Sequence, residues 1–278
     1  MSLLRQYVQS ILNARKLLIV TFLLCFGLLI YAPFTIMLLR SAGKDWFGKA
    51  WLPPTLTLEW YKWAWQIGQV PGNTKNTLII AALAVTMSIL IAIPTGWALG
   101  RRDVPGKEVW MSVILLPRMI PPIAYALGVA RIFYRLHLID THIGVALAHT
   151  AICAPYAILV LSSTFEGLDE RVLEAASVCG ANSVRTFFHV ILPMVLPGIL
   201  SSIIFTFTAS YNELTLTLMT YGVHTVTLPV RTLLAVGEGY IEVASAMAVI
   251  LVIPSLLVLF MIQRQVAPEK LVGGFKGV

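Results

Sequence analysis

Residues able to act as acids, bases or nucleophiles are scattered through this 278-residue chain rather than grouped. Glu213 and Glu242 lie in or beside apolar runs, yet neither has a nucleophile or metal-type ligand next to it, so spacing defines no acid–base pair. His137, His142, His149, His189 and His224 form no H-E-x-x-H or comparable cluster and read as isolated polar or packing residues. Cys25, Cys153 and Cys179 lack metal-like spacing, and two of them fall in apolar runs, as suits small buried hydrophobes. No G-x-x-x-x-G-K-[ST] stretch occurs, and Gly237-Glu238-Gly239 and Gly273-Gly274 lack the lysine and the strand–helix setting that cradle a phosphate. The expectation is a chain with no catalytic residues that binds no cofactor or metal itself.

Three polar constellations remain. Arg118 stands between Pro117 and the pair Pro121-Pro122 inside an apolar run, where its charge calls for a polar cavity, a carboxylate or the membrane boundary. "SYNELTLT" places Tyr211, Asn212 and Glu213 at the end of another run, either lining a polar passage or simply solvated at a helix end. The third, "LDERVLEAASVCGANSVRTFFHVILPMVLPG" from Leu168 to Gly198, turns acidic and helical between two apolar segments. Asp169 can cap a helix, Glu170 suits its first turn, and "VLEAASV" is rich in helix formers. Gly180 can end that helix in a left-handed conformation, with a second short helix starting near Asn182 and the two packed closely across the glycine. Val172, Leu173, Ala176, Val184, Phe187 and Phe188 supply apolar faces; Glu166, Glu170, Glu174, Arg171 and Arg185 supply a polar rim. Such a patch fits docking of another protein, and equally an amphipathic loop packed on its own bundle.

The elements that position these groups are membrane spans. With 58% hydrophobic residues, 12% charged and a mean hydropathy of +0.84, the composition is that of a membrane protein. Leu17–Leu39 is an uncharged run long enough, at about 1.5 Å per residue, to cross a core of roughly 30 Å, and too long for a signal peptide. Further runs cover Thr77–Leu99, Val109–Ala130 with a proline break, Ile143–Ser163, about Val190–Ala209 and about Val243–Ile262. Thr225–Gly239 is apolar but short and interrupted, and reads as a re-entrant or interfacial helix, a seventh crossing and a plain loop being the alternatives. Six crossings return both termini to one side.

Arg5, Arg15, Lys16, Arg101, Arg102, Lys107, Arg264, Lys270 and Lys276 flank that side and mark it as cytoplasmic, although Arg40, Lys44, Lys49, Lys62 and Lys75 crowd the long first outside segment. That segment also holds Trp46, Trp51, Trp60, Trp63 and Trp65, which suit an interfacial helix near Thr57–Val70 with hydrated indole N–H groups better than an aromatic cage. The net charge of +7 is spread over such flanks with no aromatic-interleaved basic stripe, so lipid, and not nucleic acid, is the expected partner.

Glu174-Ala175-Ala176, Gly180 and Leu192-Pro193 stand at the spacing of the EAA loop, with Val190 where that pattern has isoleucine. The chain therefore resembles the bacterial ABC importer inner-membrane permeases, and "ILLPRMIPPIAYALG" and "EVASAMAVILVIPSLLVLF" resemble their spermidine/putrescine, ferric-iron and phosphonate branch. The resemblance implies an all-α polytopic protein with six transmembrane helices and the type I ABC importer permease fold. It divides the chain into 1–70 (tail, first span, periplasmic segment), a core over 71–264 with a coupling loop at 166–189, and a tail over 265–278. It makes Asp169, Glu170, Leu173, Glu174, Ala175, Ala176, Gly180, Val184 and Phe187 an ATPase-docking surface, hinged by Val190, Leu192, Pro193 and Pro197. Arg118, Tyr211, Asn212 and Glu213 become candidates for the translocation path. The implied partners are two cytoplasmic ATPase subunits or domains that bind ATP and Mg, a second permease subunit, and a periplasmic solute-binding protein. The implied solute is a small polar molecule, polyamine first, with phosphonate or ferric iron as alternatives. An ion-coupled secondary transporter and a purely structural membrane subunit are the readings from other classes.

Overall fold

The computed structural model describes residues 2–46 and 50–265; Lys49 and the tail with Lys270, Gly273, Gly274 and Lys276 lie outside the described residues. Helices dominate. The first apolar run lies within α1 (Ser2–Ala42), and the short strands β1 (Gly43–Lys44) and β2 (Thr55–Leu56) pair antiparallel after it, a small departure from an all-α chain. α2 (Glu59–Gln66) occupies the expected interfacial stretch. Trp60 donates its indole N–H to the Gly43 carbonyl at 2.8 Å and Trp46 donates to Ala50 at 2.8 Å, so these two indoles brace the segment's own backbone rather than remaining free for water.

The described residues divide into two compact units, those within 2–68 with 235–249, and those within 69–234 with 250–265. The second unit carries the polar constellations of the sequence. α3 (Val70–Arg101) starts well before the uncharged run because Val70 and Pro71 open a regular first turn. α4 (Lys107–Met119) and α5 (Pro122–Arg135) share the third apolar run and meet at 94°. Pro121 and Pro122 cannot donate to a helical ladder, and Ile120 before them is extended, so the expected break is a sharp bend. α6 (His142–Glu166) and α9 (Leu192–Tyr211) are the fourth and fifth runs, and α12 (Ile241–Gln265) the sixth. Among the described residues five helices are long and apolar enough to cross a membrane, six if the bent pair counts as one span. α11 (Leu228–Gly237) is apolar but only 10 residues long, too short to cross at about 1.5 Å per residue.

α3 and α6 approach backbone to backbone. A Cβ on Gly96 would stand 2.9 Å from that of Leu161, and one on Gly100 2.5 Å from the Ser162 carbonyl oxygen. Small residues allow such packing where hydrocarbon surrounds the helices and gives no hydrophobic drive to associate. Next to this contact, and sharing Leu161 with it, Leu99, Leu161, Phe165, Leu168, Ile191 and Val195 close a core shared by α3, α6 and α9.

Candidate functional site

Between α6 and α9 the chain builds two capped helical pieces, α7 (Glu170–Val178) and α8 (Ser183–Thr186). The Asp169 carboxylate accepts from the Arg171 N–H at 2.9 Å, and the Asn182 side chain accepts from the Arg185 N–H at 2.8 Å. At the end of α7 the Gly180 N–H reaches the Ser177 carbonyl at 2.9 Å and the Ala181 N–H reaches Ala176 at 3.1 Å, a Schellman closure with Gly180 at φ +78°. The expected close packing across Gly180 is absent: an added Cβ would meet nothing within 4 Å. Glycine is needed there for its backbone angle alone.

The patch is two-sided. Glu170, Glu174, Ala175 and Val184 are exposed, whereas Leu173 and Phe187 turn inward onto the core around Leu168 and Ile191, and Ala176 is half-buried. Leu173 and Phe187, read from sequence as contact residues for a partner, thus fasten the patch to its own bundle. Val178, 88% exposed, Val184 and Phe188 are the apolar groups turned most fully outward, with Val172 less so. Val184 and Phe188 are expected contact residues; Val178 is not, although its spacing from Leu173, which sets it off the inward helical face, is legible in the sequence. Phe187–Ile191 is a π-helical turn in which the Leu192 N–H bonds the Phe187 carbonyl, just before Pro193, which has no N–H to give. Of the four hinge residues, Val190 and Leu192 are half-buried while Pro193 and Pro197 are exposed, and α9 starts at Leu192, close to the expected start near Val190.

At the bend between α4 and α5 lies a cavity of about 290 Å³ whose walls include Arg118, Tyr125, Tyr156 and Glu213. The Arg118 guanidinium lies 4.2 Å from the centre of the Tyr156 ring and donates to its hydroxyl. One Glu213 carboxylate oxygen accepts from the Leu216 N–H at 2.8 Å, in the first turn of α10 (Thr215–Thr220), a short helix the sequence did not reveal. His149, buried, bonds Ser210 and Thr217 at 2.8 Å each and ties α10 to α6 and α9. Arg118 and Glu213 therefore share one pocket, but Tyr211 and Asn212 do not line it. Tyr211 is buried and stacked on Phe207, and Asn212 donates to the Thr208 carbonyl at 2.9 Å.

A third cluster went unrecognised in sequence because its members lie far apart. Asp140 accepts from the N–H groups of His224 and Thr225, from the Thr225 hydroxyl at 3.0 Å and from His224 Nδ1 at 2.7 Å. Asn76 donates to the His224 and Val226 carbonyls and meets His142 Nε2 at 2.9 Å. Partial burial opposes the charge on Asp140, but the donors from His224 and Thr225 outweigh it and hold the carboxyl below its ordinary range.

A polytopic helical bundle with an exposed, doubly capped helical loop between two late spans and a polar pocket at a broken span is the architecture of a membrane transport subunit. Residues 92–271 match the family described as binding-protein-dependent transport system inner membrane component, and the chain belongs to it. It is 27% identical over 234 residues to the spermidine/putrescine transport system permease protein PotC of Haemophilus influenzae, covering 84% of this chain and 90% of that one. It is also 29% identical over 247 residues to the alpha-glucoside transport system permease protein AglG of Rhizobium meliloti, covering 85% and 65%. The fold matches the crystal structure of a bacterial ABC transporter involved in import of the acidic polysaccharide alginate, with a TM-score of 0.70, 18% identity, and coverage of 92% and 96%. The chain is a multi-pass ABC importer permease subunit with the type I fold.

Proposed function

We propose that the chain carries a small polar organic solute, handed over by a periplasmic binding protein, into the cytoplasm, with Asp169–His189 as the docking surface for an ATPase. Two ATPase subunits or domains, holding ATP and Mg, and a second permease complete the unit, and both termini lie in the cytoplasm. The observation that carries the docking reading is the anchoring of the loop: α7 is closed by Asp169 at one end and Gly180 at the other, while Leu173 and Phe187 root the loop in the α3–α6–α9 core. A load on Glu170, Glu174, Val178 or Val184 is then passed to spans instead of being absorbed by a flexible loop, and the π-helical turn before Pro193 is the place where it can bend. Affinity purification through this chain tests it: an ATPase should co-purify with the wild type and be lost from Glu174→Lys, and its full retention by the variant would overturn the reading.

For the solute, polyamine is the first choice, supported by the likeness to a spermidine/putrescine permease and by Glu213 in the pocket wall, which attracts cations. A second reading, a neutral glycoside, is favoured by the alpha-glucoside relative and by Arg118 and two tyrosines in the same wall, groups that can hydrogen-bond hydroxyls, while the Arg118 charge repels a polycation. Calorimetry of the cognate binding protein with spermidine, a glucoside and 2-aminoethylphosphonate separates these: tight binding of spermidine alone supports polyamine, and tight binding of either other solute without it rejects polyamine.

A further inference from the structure

Arg101, Arg102 and Lys107 read in sequence as charges that merely flank a span. The folded chain uses two of them otherwise. The Arg101 side chain is only 13% exposed; Nη1 donates to the Leu168 carbonyl at 3.0 Å and Nη2 lies 3.5 Å from Glu170 Oε1. Lys107 Nζ stands 3.6 Å from Glu166 Oε2. These three partners bracket the joint between α6 and α7: Glu166 ends α6, Leu168 lies in the joint, and Glu170 opens α7. The carbonyls that finish a helix have no partner within it, and here one just beyond α6 is taken by a guanidinium that reaches the first residue of α7 with its other arm. Since α3 and α6 already touch backbone to backbone at Gly96 and Gly100, the fork of Arg101 closes a triangle of α3, α6 and α7. We propose that Arg101, seconded by Lys107, is a positioning residue for coupling: it locks α7 to the α3–α6 pair so that displacement of α7 moves two spans as one body. The proposal rests on the docking reading of α7–α8.

A lysine at 101 keeps the charge that flanks the span but is a single point donor on a flexible stem, unable to fork between a carbonyl and a carboxylate. Arg101→Lys therefore separates the lock from membrane insertion. The test uses the complete transporter, purified through this chain and placed in proteoliposomes, with Cys25, Cys153 and Cys179 replaced by serine and spin labels at Arg102→Cys and Ser177→Cys. In the otherwise wild-type protein the distance distribution between the labels should be the same without nucleotide and with ATP–vanadate trapped; with Arg101→Lys it should broaden and shift on trapping. In unlabelled proteoliposomes, Arg101→Lys should keep ATP turnover within about twofold while solute moved per ATP falls about tenfold, the factor that loss of one charge-assisted hydrogen bond supplies. A distribution that shifts equally without the substitution, or an Arg101→Lys protein that matches wild type in both readouts, overturns the proposal. Glu174→Lys serves as the independent control: retention of the ATPase by that variant rejects the docking reading, whereas its loss alongside a wild-type Arg101→Lys protein rejects the lock alone.

Discussion

At Gly180 a single φ angle, not a crowded contact, constrains the choice of residue. Because a Cβ there meets open space, Gly180→Asn should be nearly neutral, since asparagine tolerates the left-handed region, whereas Gly180→Val should cost about 1–2 kcal/mol or more at a β-branched side chain. Parallel thermal unfolding and uptake assays would check it; equal damage by both residues would return crowding as the explanation. Arg118 is the second residue whose environment makes a definite statement, because its charge is held over the Tyr156 ring at the pocket wall. Arg118→Leu is expected to insert normally and lose about tenfold or more in uptake, and Tyr156→Phe, which keeps the ring and removes the hydroxyl, should lose less. Sequence alone placed a cost on Arg118 and hence a polar neighbour, and that much was readable. That the neighbour is an aromatic ring on α6 was not, because nothing local links positions 118 and 156.

The elements divide by how local their causes are. Spans were legible because an uncharged run of adequate length has few alternatives in water or lipid, and the caps of α7 and α8 were legible because Asp169, Gly180 and Asn182 act within a few residues of themselves. α10, the inward turn of Leu173 and Phe187, and the 94° angle between α4 and α5 depend on what packs opposite, which a single chain of letters does not display. The Asp140 cluster is of this long-range kind, and its effect on the segment after α10 depends on pH. The carboxyl's pKa lies below its unfolded value of 3.8, so its contribution is complete above that value and is lost as pH falls through the lower, folded one. Asp140→Asn should remove about 1–2 kcal/mol near neutral pH, and its unfolding midpoint in detergent should fall less than that of the wild type as the solution is acidified below about pH 4. Parallel acid profiles for the two proteins would show that Asp140 is not the group responsible.

For the whole molecule, surfaces left open on the described residues bear on the proposed assembly. The apolar stretch of α1 over Arg15–Ala42 has none of its most hydrophobic window buried within the chain, so lipid or another polypeptide must cover it. Among the described residues one doubly capped loop stands exposed between α6 and α9, and on the proposed docking reading a motor that closes on two such loops needs a second permease related to the first by a twofold or pseudo-twofold axis. The purified, active transporter is therefore expected to contain two permease chains and two ATPase domains, measurable by native mass spectrometry, and an active monomer free of ATPase would refute this. Glu174→Lys tests the same arrangement from within. Glu174 is exposed on α7, away from the inward contacts of Leu173, so reversing its charge leaves the bundle's packing untouched and acts only on what docks there. The variant should fold and insert with an unchanged unfolding midpoint, yet show roughly a hundredfold or weaker ATPase association, as a like-charge contact costing several kcal/mol would produce. A lowered unfolding midpoint would assign the loss to the bundle, and unaltered association would place the ATPase elsewhere on the chain.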